Sequence, residues 1–150
     1  MHTPHGFSLL ELMIVLMIIA VLAALAIPNY QLYVRKAKFS EVIMHLAPYR
    51  TAVEVCAQLL GGLGDAQSNC GTPDKNGIPA DFTAASATKG YISSLKTSFQ
   101  SPEVILTAIT QGLGKNYNYV LKGRATEGEP LSWSVDPSST CLAEGLCHEE

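Results

Sequence analysis

Hydrophobic residues are distributed very unevenly along this chain of 150 residues. From Phe7 to Ile27 the only polar side chains are those of Ser8 and Glu11. A helix rises about 1.5 Å per residue, so this run can span the ~30 Å hydrocarbon core of a bilayer. The pattern therefore predicts a membrane-spanning helix over residues 7–28, with one carboxylate near its start.

Glu11 lies where a charge is costly, at roughly 3 kcal/mol near the centre of a membrane helix and less toward an end. No Lys or Arg within the run can pair with it. Cleavage between Gly6 and Phe7 would create a new amine at Phe7, and the amine of an axially shifted neighbouring subunit could then meet Glu11. We therefore interpret Glu11 as a residue that sets the register between packed helices.

Three other interpretations of this segment remain open. Ser8-x-x-Glu11 before an apolar run fits a capping box, in which Glu11 only satisfies the helix start. An ordinary secretory signal would be cleaved among the small residues between Ala20 and Ala26. A membrane anchor would not be cleaved at all.

Apolar positions continue past the bilayer length at alternating spacings of three and four residues. They form one stripe, made by Phe39, Val42, Leu46, Tyr49, Val53, Cys56 and Leu60. This stripe predicts that the helix continues to about residue 60 and packs on a sheet. Pro28 and Pro48 each remove a backbone donor and predict kinks. The sequence Gly61-Gly62-x-Gly64 predicts the helix end.

The rest of the chain changes from a loop composition to a strand composition. Residues 61–90 are rich in small and polar residues without a period, which predicts a long connecting loop. Four later runs hold most of the remaining β-branched and aromatic residues, namely Tyr91–Ser98, Glu103–Thr110, Tyr117–Arg124 and Leu131–Asp136. The predicted fold class is α+β, with a long kinked helix packed on a four-stranded antiparallel sheet formed by residues 91–136. Residues 29–150 would form the globular domain, and residues 137–150 its tail.

Four cysteines allow three pairings. Local spacing favours Cys56–Cys70, which would fasten the connecting loop, and Cys141–Cys147, which would close the tail. Such closely spaced pairs suit an oxidising compartment. Zinc is the competing interpretation, but the spacings lack a C-x-x-C pair.

Composition argues against most other function classes. The net charge of −3 shows no broad basic excess, and the sequence contains no catalytic constellation, cofactor motif or metal motif. Three aspartates in the predicted loop lack calcium-loop spacing and are interpreted as solvated turn residues, namely Asp65, Asp74 and Asp81. The chain is therefore predicted not to be an enzyme.

One binding hypothesis comes from basic residues in the sheet region. They are Lys89, Lys96, Lys115, Lys122 and Arg124, and Tyr91, Tyr117 and Tyr119 lie among them. Cations interleaved with aromatic rings can hold a phosphate backbone while the rings stack on bases, which suggests DNA as a partner. The alternative is a solvated surface, because Glu103, Glu127 and Glu129 lie nearby.

The N-terminal pattern resembles a known family. Gly6-Phe7-Ser8-Leu9-Leu10-Glu11, the apolar run and Pro28 resemble the class III signal peptide and N-terminal helix of type IV pilins, and Pro48 also matches a frequent proline of these proteins. The resemblance implies that a prepilin peptidase removes the leader, residues 1–6, and methylates Phe7. It further implies that Glu11 guides docking into a homopolymeric filament.

The same resemblance implies a location and a set of partners. The precursor would be a single-pass protein of the inner membrane of a Gram-negative bacterium. Inner-membrane assembly machinery would build it into an extracellular pilus for adhesion, twitching motility or DNA uptake. A competence-type pilin that binds DNA and a type II secretion pseudopilin are the alternatives, and the cysteine pair in the tail favours a pilin.

The leader departs from the family pattern, because His2 and His5 stand where Lys or Arg is usual. By the positive-inside rule, the cluster Arg35, Lys36 and Lys38 would draw the C-terminal side into the cytoplasm. The cysteines and the leader motif favour the opposite orientation, which is the one we predict.

Overall fold

One long helix and an antiparallel sheet account for most of the ordered backbone. The computed structural model describes residues 6–64, 69–83, 90–125 and 130–148. Its elements are α1 Leu9–Leu60, β1 Phe82–Thr83, β2 Ile92–Gln100, β3 Glu103–Thr110, β4 Asn118–Arg124, β5 Ser132–Val135 and α2 Thr140–Ala143. Every strand is antiparallel to its neighbour, in the order β1-β2-β3-β4-β5. Contacts divide the chain into one unit that ends at Arg35 and another that begins at Lys36.

The end of α1 lies where the glycines predict it. Gly61 has a φ of 70°, and the Gly62 N–H donates to the Ala57 carbonyl at 2.8 Å. This six-to-one bond is the Schellman motif, which glycine favours because a left-handed residue must follow the helix. Helical structure is continuous through Pro28 and Pro48. A kink at either proline stays a prediction.

In the unit that begins at Lys36, the predicted apolar stripe of α1 is buried. The buried helix residues are Phe39, Val42, Leu46, Tyr49, Val53, Cys56 and Ala57. They pack with the inward residues of the sheet, and the Phe39 ring meets the Tyr119 ring edge-on at 6.0 Å between centroids. Leu60, the last member of the predicted stripe, is exposed because the helix ends there.

The described residues form a sheet of five strands, where four were predicted. The additional strand, β1, pairs Phe82 with Leu95 and Thr83 with Ser94, inside the predicted connecting loop. Two residues are too few to show a period, so hydrophobic patterning could not reveal this strand. A polar contact fixes it instead, since the Asp81 carboxylate accepts the Thr97 N–H at 2.7 Å. Asp81 was expected to be only a solvated turn residue, but its carboxylate helps to hold β1 beside β2.

Trp133 connects β5 to α1. Its indole N–H donates to the Glu54 carboxylate at 2.8 Å, and the Arg50 guanidinium lies 5.5 Å from the ring. Gly123 is its cross-strand partner, and a Cβ added at Gly123 would lie 2.8 Å from the Trp133 ring. A residue without a side chain is thus needed at position 123. The residues of β5 alternate in exposure, since Trp133 and Val135 are less exposed than Ser132 and Ser134.

Hydrogen bonds fasten the tail along the start of β4. The Thr140 N–H donates to the Asn118 side-chain oxygen at 2.6 Å, and the Thr140 hydroxyl accepts the Asn118 N–H at 2.9 Å. The Ser139 hydroxyl accepts the Val120 N–H at 3.0 Å. This part of β4 lies beyond the end of β5, so the tail satisfies backbone groups that would otherwise lie at an open sheet edge.

Two disulfides close short loops of the chain. Cys56 is bonded to Cys70 and Cys141 to Cys147, and the chain has no free cysteine. These are the pairings that the local spacing favours. The first bond joins the last turns of α1 to the connecting segment, and the second closes the tail over six residues.

Peptide mapping without reduction should recover both linked pairs from the exported protein. In the chain-entropy model the loops of fourteen and six residues contribute about 3 and about 2 kcal/mol respectively. The double variant Cys56→Ser/Cys70→Ser should therefore lose more unfolding free energy than Cys141→Ser/Cys147→Ser, measured by chemical denaturation. Four free thiols in exported protein would contradict both the pairings and the predicted compartment.

Candidate assembly interface

The helix surface from Phe7 to Ile27 is apolar and exposed. Most large side chains along it are more than half exposed, including Leu10, Met17 and Leu22, and Phe7 is 76% exposed. By length and composition this part of α1 can cross a membrane, and none of its most apolar 18-residue window is buried. A contiguous apolar surface of this kind marks contact with lipid or with another protein.

Glu11 lies in the first turn of α1, where a negative charge is favoured by the helix dipole. The Leu12 N–H donates to the Ser8 carbonyl at 3.2 Å, which is a backbone hydrogen bond at the start of the helix. Within the described residues, neither the Ser8 hydroxyl nor the Glu11 carboxylate has a hydrogen-bond or ion-pair partner. The two reciprocal bonds of a capping box are therefore not formed, and the carboxylate is available to a group outside this chain.

The Gly6–Phe7 peptide bond lies outside the helix. Residues 6–8 precede the first helical residue, Leu9, and all three are exposed. A protease needs an extended, accessible backbone at the bond it cuts, and helical backbone does not offer this. The predicted cleavage position is thus compatible with the local structure. Residues 1–5 of the predicted leader lie outside the described residues.

Carboxylates neutralise most of the basic residues proposed for DNA. Lys122 forms an ion pair with Asp136 and lies 4.0 Å from Glu103, whose other oxygen pairs with Arg124 at 2.8 Å. Lys115 pairs with Glu144 of the tail at 3.2 Å. Lys96 is exposed and has no ion pair within the part of the chain that the structure describes. Lys89 lies outside that part.

The tyrosines among these cations are not arranged for stacking on bases. Tyr117 and Tyr119 are buried, because Tyr119 is on the inner face of β4 and contacts Phe39. Tyr91 is half-buried, and the Lys38 ammonium lies 4.9 Å from its ring centroid. The DNA-binding hypothesis grouped the tyrosines with the cations because they are close along the chain. Strand alternation, however, places Tyr119 and Lys122 on opposite faces of the sheet.

The ion pair of Lys122 and Asp136 shifts the pKa of both groups. The hydrogen bond from Lys122, followed by those from Ser138, lowers the pKa of Asp136 to about 2. The same bond raises the pKa of Lys122, although partial desolvation opposes the shift. Asp136 was not singled out from the sequence, and only the pairing of β4 with β5 brings it to Lys122.

A second titratable group is buried between α1 and the connecting segment. The Tyr49 hydroxyl donates to the Ala80 carbonyl at 2.6 Å. Burial, with smaller contributions from Asp81 and Asp74, raises the pKa of Tyr49. This hydrogen bond anchors the segment before β1 and supplies no nucleophile. In the described ranges, no three His, Cys, Asp or Glu side chains come together as a metal site.

Comparison with known proteins gives consistent matches. A family model described as the prokaryotic N-terminal methylation motif matches residues 1–27. The chain is 34% identical to the type IV major fimbrial protein FimA of Dichelobacter nodosus, over 90% of this chain and 83% of that protein. It is 36% identical to the type IV pilus subunit protein TapA of Aeromonas hydrophila, over 98% of this chain and 100% of that protein.

A third relative matches over a shorter length. The prepilin peptidase-dependent protein D of Escherichia coli (strain K12) is 44% identical over 62% of this chain and 64% of its own length. The match thus spans just under two thirds of that relative. No solved structure matches the chain significantly.

The lowered pKa of Asp136 predicts a pH window for its contribution to stability. Because the folded pKa of about 2 lies below the ordinary value of 3.8, the contribution is fully present above the ordinary value. It is lost as the pH falls through about 2. Asp136→Asn should therefore unfold at a lower denaturant concentration than the parent at pH 6, and the difference should become much smaller as the pH falls to about 2.

Asp74→Asn is the matched control, because it removes the same charge from an exposed residue that has no ion pair among the described residues. Its effect at pH 6 should be smaller than that of Asp136→Asn. Equal losses for the two variants, or a loss at Asp136 that persists undiminished at pH 2, would show that the ion pair is not what stabilises the fold.

Proposed function

This chain belongs to the type IV pilin family, and we propose that it polymerises through the exposed N-terminal half of α1 into a type IV pilus. Its role is structural rather than enzymatic, as it is for the relatives named fimbrial or pilus subunits. The observation that carries the proposal is the Glu11 carboxylate, which has no partner among the described residues and lies on the apolar, unburied N-terminal half of α1. The pilus would be extracellular, after a stage as a single-pass inner-membrane precursor in a Gram-negative bacterium.

Processing would create the missing partner of Glu11. A prepilin peptidase would cut the accessible Gly6–Phe7 bond and methylate the new amine. The match to the methylation motif and the name of the Escherichia coli relative support this step. The amine carries a positive charge at neutral pH. The apolar run contains no Lys or Arg that could pair with Glu11 instead.

Pairing between subunits would set their axial offset. Phe7 and Glu11 are four residues apart, a separation of about 6 Å where the backbone is helical. A neighbour shifted axially by a distance of this order would bring its Phe7 amine beside Glu11. Helices without the shift would bury an unpaired carboxylate, which is strongly unfavourable. Glu11 would thus select one register among the many that apolar packing alone allows.

Adhesion, twitching motility and DNA uptake are roles that we propose for the assembled filament. Direct DNA binding by the subunit has no specific observation in its favour, because Lys115, Lys122 and Arg124 are paired with carboxylates. The pseudopilin alternative is also less favoured, since the full-length relatives are named pilus or fimbrial subunits.

The mature chain should begin at Phe7. Intact mass and N-terminal peptide spectra of filaments sheared from cells should show loss of residues 1–6 and one added methyl group. Gly6→Leu should block cleavage, since it replaces the residue that the peptidase motif requires. A filament subunit that begins at Met1, or near Ala24, would contradict the proposed processing.

Replacement of Glu11 should block assembly and leave the globular unit folded. Glu11→Ala and the isosteric Glu11→Gln should both reduce filament yield strongly, because neither can pair with the amine of a neighbour. Yield can be measured by immunoblotting of sheared filaments, and folding by the presence of both disulfides in the cell-associated protein.

Ser8→Ala separates the docking role from a capping box. A capping box uses Ser8 and Glu11 together, so it predicts similar defects for Ser8→Ala and Glu11→Ala. The docking role predicts near-normal filament yield from Ser8→Ala. Normal yield from Glu11→Ala would remove the proposed role of Glu11.

A further inference from the structure

A tight turn in the connecting segment carries the only Asn-Gly pair in the chain. The Ile78 N–H donates to the Lys75 carbonyl at 2.8 Å, which closes a four-residue turn. Both central residues have positive φ, 52° at Asn76 and 80° at Gly77. These values define a type I′ turn, for which Asn-Gly is the preferred pair.

The Gly77 nitrogen is not engaged in a hydrogen bond, since its N–H has no partner within the described residues. Apart from Gly77 and its two chain neighbours, no described atom lies within 4 Å of the position that a Cβ would occupy at Gly77. Asn76 and Gly77 are both exposed. The backbone nitrogen that follows Asn76 therefore has no hydrogen bond to break before it reacts.

We propose that Asn76–Gly77 is a self-modification site, at which the Gly77 nitrogen attacks the Asn76 side-chain carbonyl carbon. The new N–C bond closes a five-membered succinimide, the Gly77 nitrogen loses its proton, and Asn76 Nδ2 leaves as ammonia. Water then opens the ring at either carbonyl and gives aspartate or isoaspartate. The reaction needs only water, and no electrons are transferred.

The modification would release a contact that holds the turn. Asn76 Nδ2 donates to the Asn69 carbonyl at 3.0 Å, and Asn69 is buried. A carboxylate at position 76 cannot donate, so the bond would be replaced by repulsion between two oxygens. The Asn69 side chain would still accept the Gly71 N–H at 2.9 Å, and Cys70 would stay bonded to Cys56. The turn would loosen while the disulfide retained the segment.

The chain provides its own controls for reactivity. The other four asparagines are each followed by Tyr or Cys, namely Asn29, Asn69, Asn116 and Asn118. A side chain on the following residue hinders approach of its nitrogen. Asn118 is held further by its hydrogen bonds to Thr140 in the tail.

The test is incubation of the folded full-length protein in detergent micelles, at neutral and mildly alkaline pH, in water enriched in oxygen-18. Peptide mass spectra should show conversion at Asn76 with one labelled oxygen, faster at the higher pH, while the other four asparagines remain amides. Asn76→Gln should remain unconverted, because its ring closure would have to form a six-membered ring.

Hydrogen exchange tests the structural consequence. Asn76→Asp should increase deuterium uptake around Asn69 to Thr72, and Asn76→Gln, which retains a donor, should increase it less. The time that the denatured, reduced chain needs to convert Asn76 is the reference. The proposal would be overturned if Asn76 in the folded protein were still an amide after that time. Conversion at equal rates at all five asparagines would also overturn it, since the turn would then have no special reactivity.

Discussion

The cost of exposing the apolar half of α1 to water constrains everything else about this protein. Burial of one Leu or Ile side chain is worth about 1.5–3 kcal/mol. The run from Phe7 to Ile27 therefore outweighs the roughly 5–15 kcal/mol by which a typical domain is folded. Such a segment must be covered by lipid or by other subunits at every stage. Because Glu11 adds only about 3 kcal/mol of opposing cost, it cannot prevent burial, but it can decide which buried arrangement is preferred.

The unit that begins at Lys36 is stabilised by contacts of its own. The α1 stripe fills one face of the sheet, and Trp133 joins β5 to Glu54. On the outer face, Asp136 pairs with Lys122, and Glu103 pairs with Arg124. Hydrogen bonds to β4 and the Cys141–Cys147 bond hold the tail. We therefore expect that a substitution in the apolar run leaves this unit folded.

Sequence alone predicted the features that depend on local or periodic chemistry. The end of α1 followed from Gly61, the buried stripe from its spacing, and β3 from its composition and flanking turns. β1 could not be predicted, because two residues show no period and a polar contact from Asp81 fixes their position. The surroundings of the basic residues could not be predicted for a related reason. Whether Lys122 is free depends on Asp136, which only strand pairing brings to it, and whether Tyr119 can stack depends on the face to which β4 turns it.

The most direct test of the central claim is a structure of the native filament at a resolution that shows side chains. Our account predicts that the N-terminal helices lie together in the filament centre. It also predicts that each Glu11 carboxylate lies within about 4 Å of the methylated Phe7 amine of a neighbouring subunit, the usual limit of an ion pair. A filament in which these helices are packed but Glu11 and the Phe7 amine are far apart would contradict the role of Glu11. A filament in which the helices make no contact would contradict the whole account.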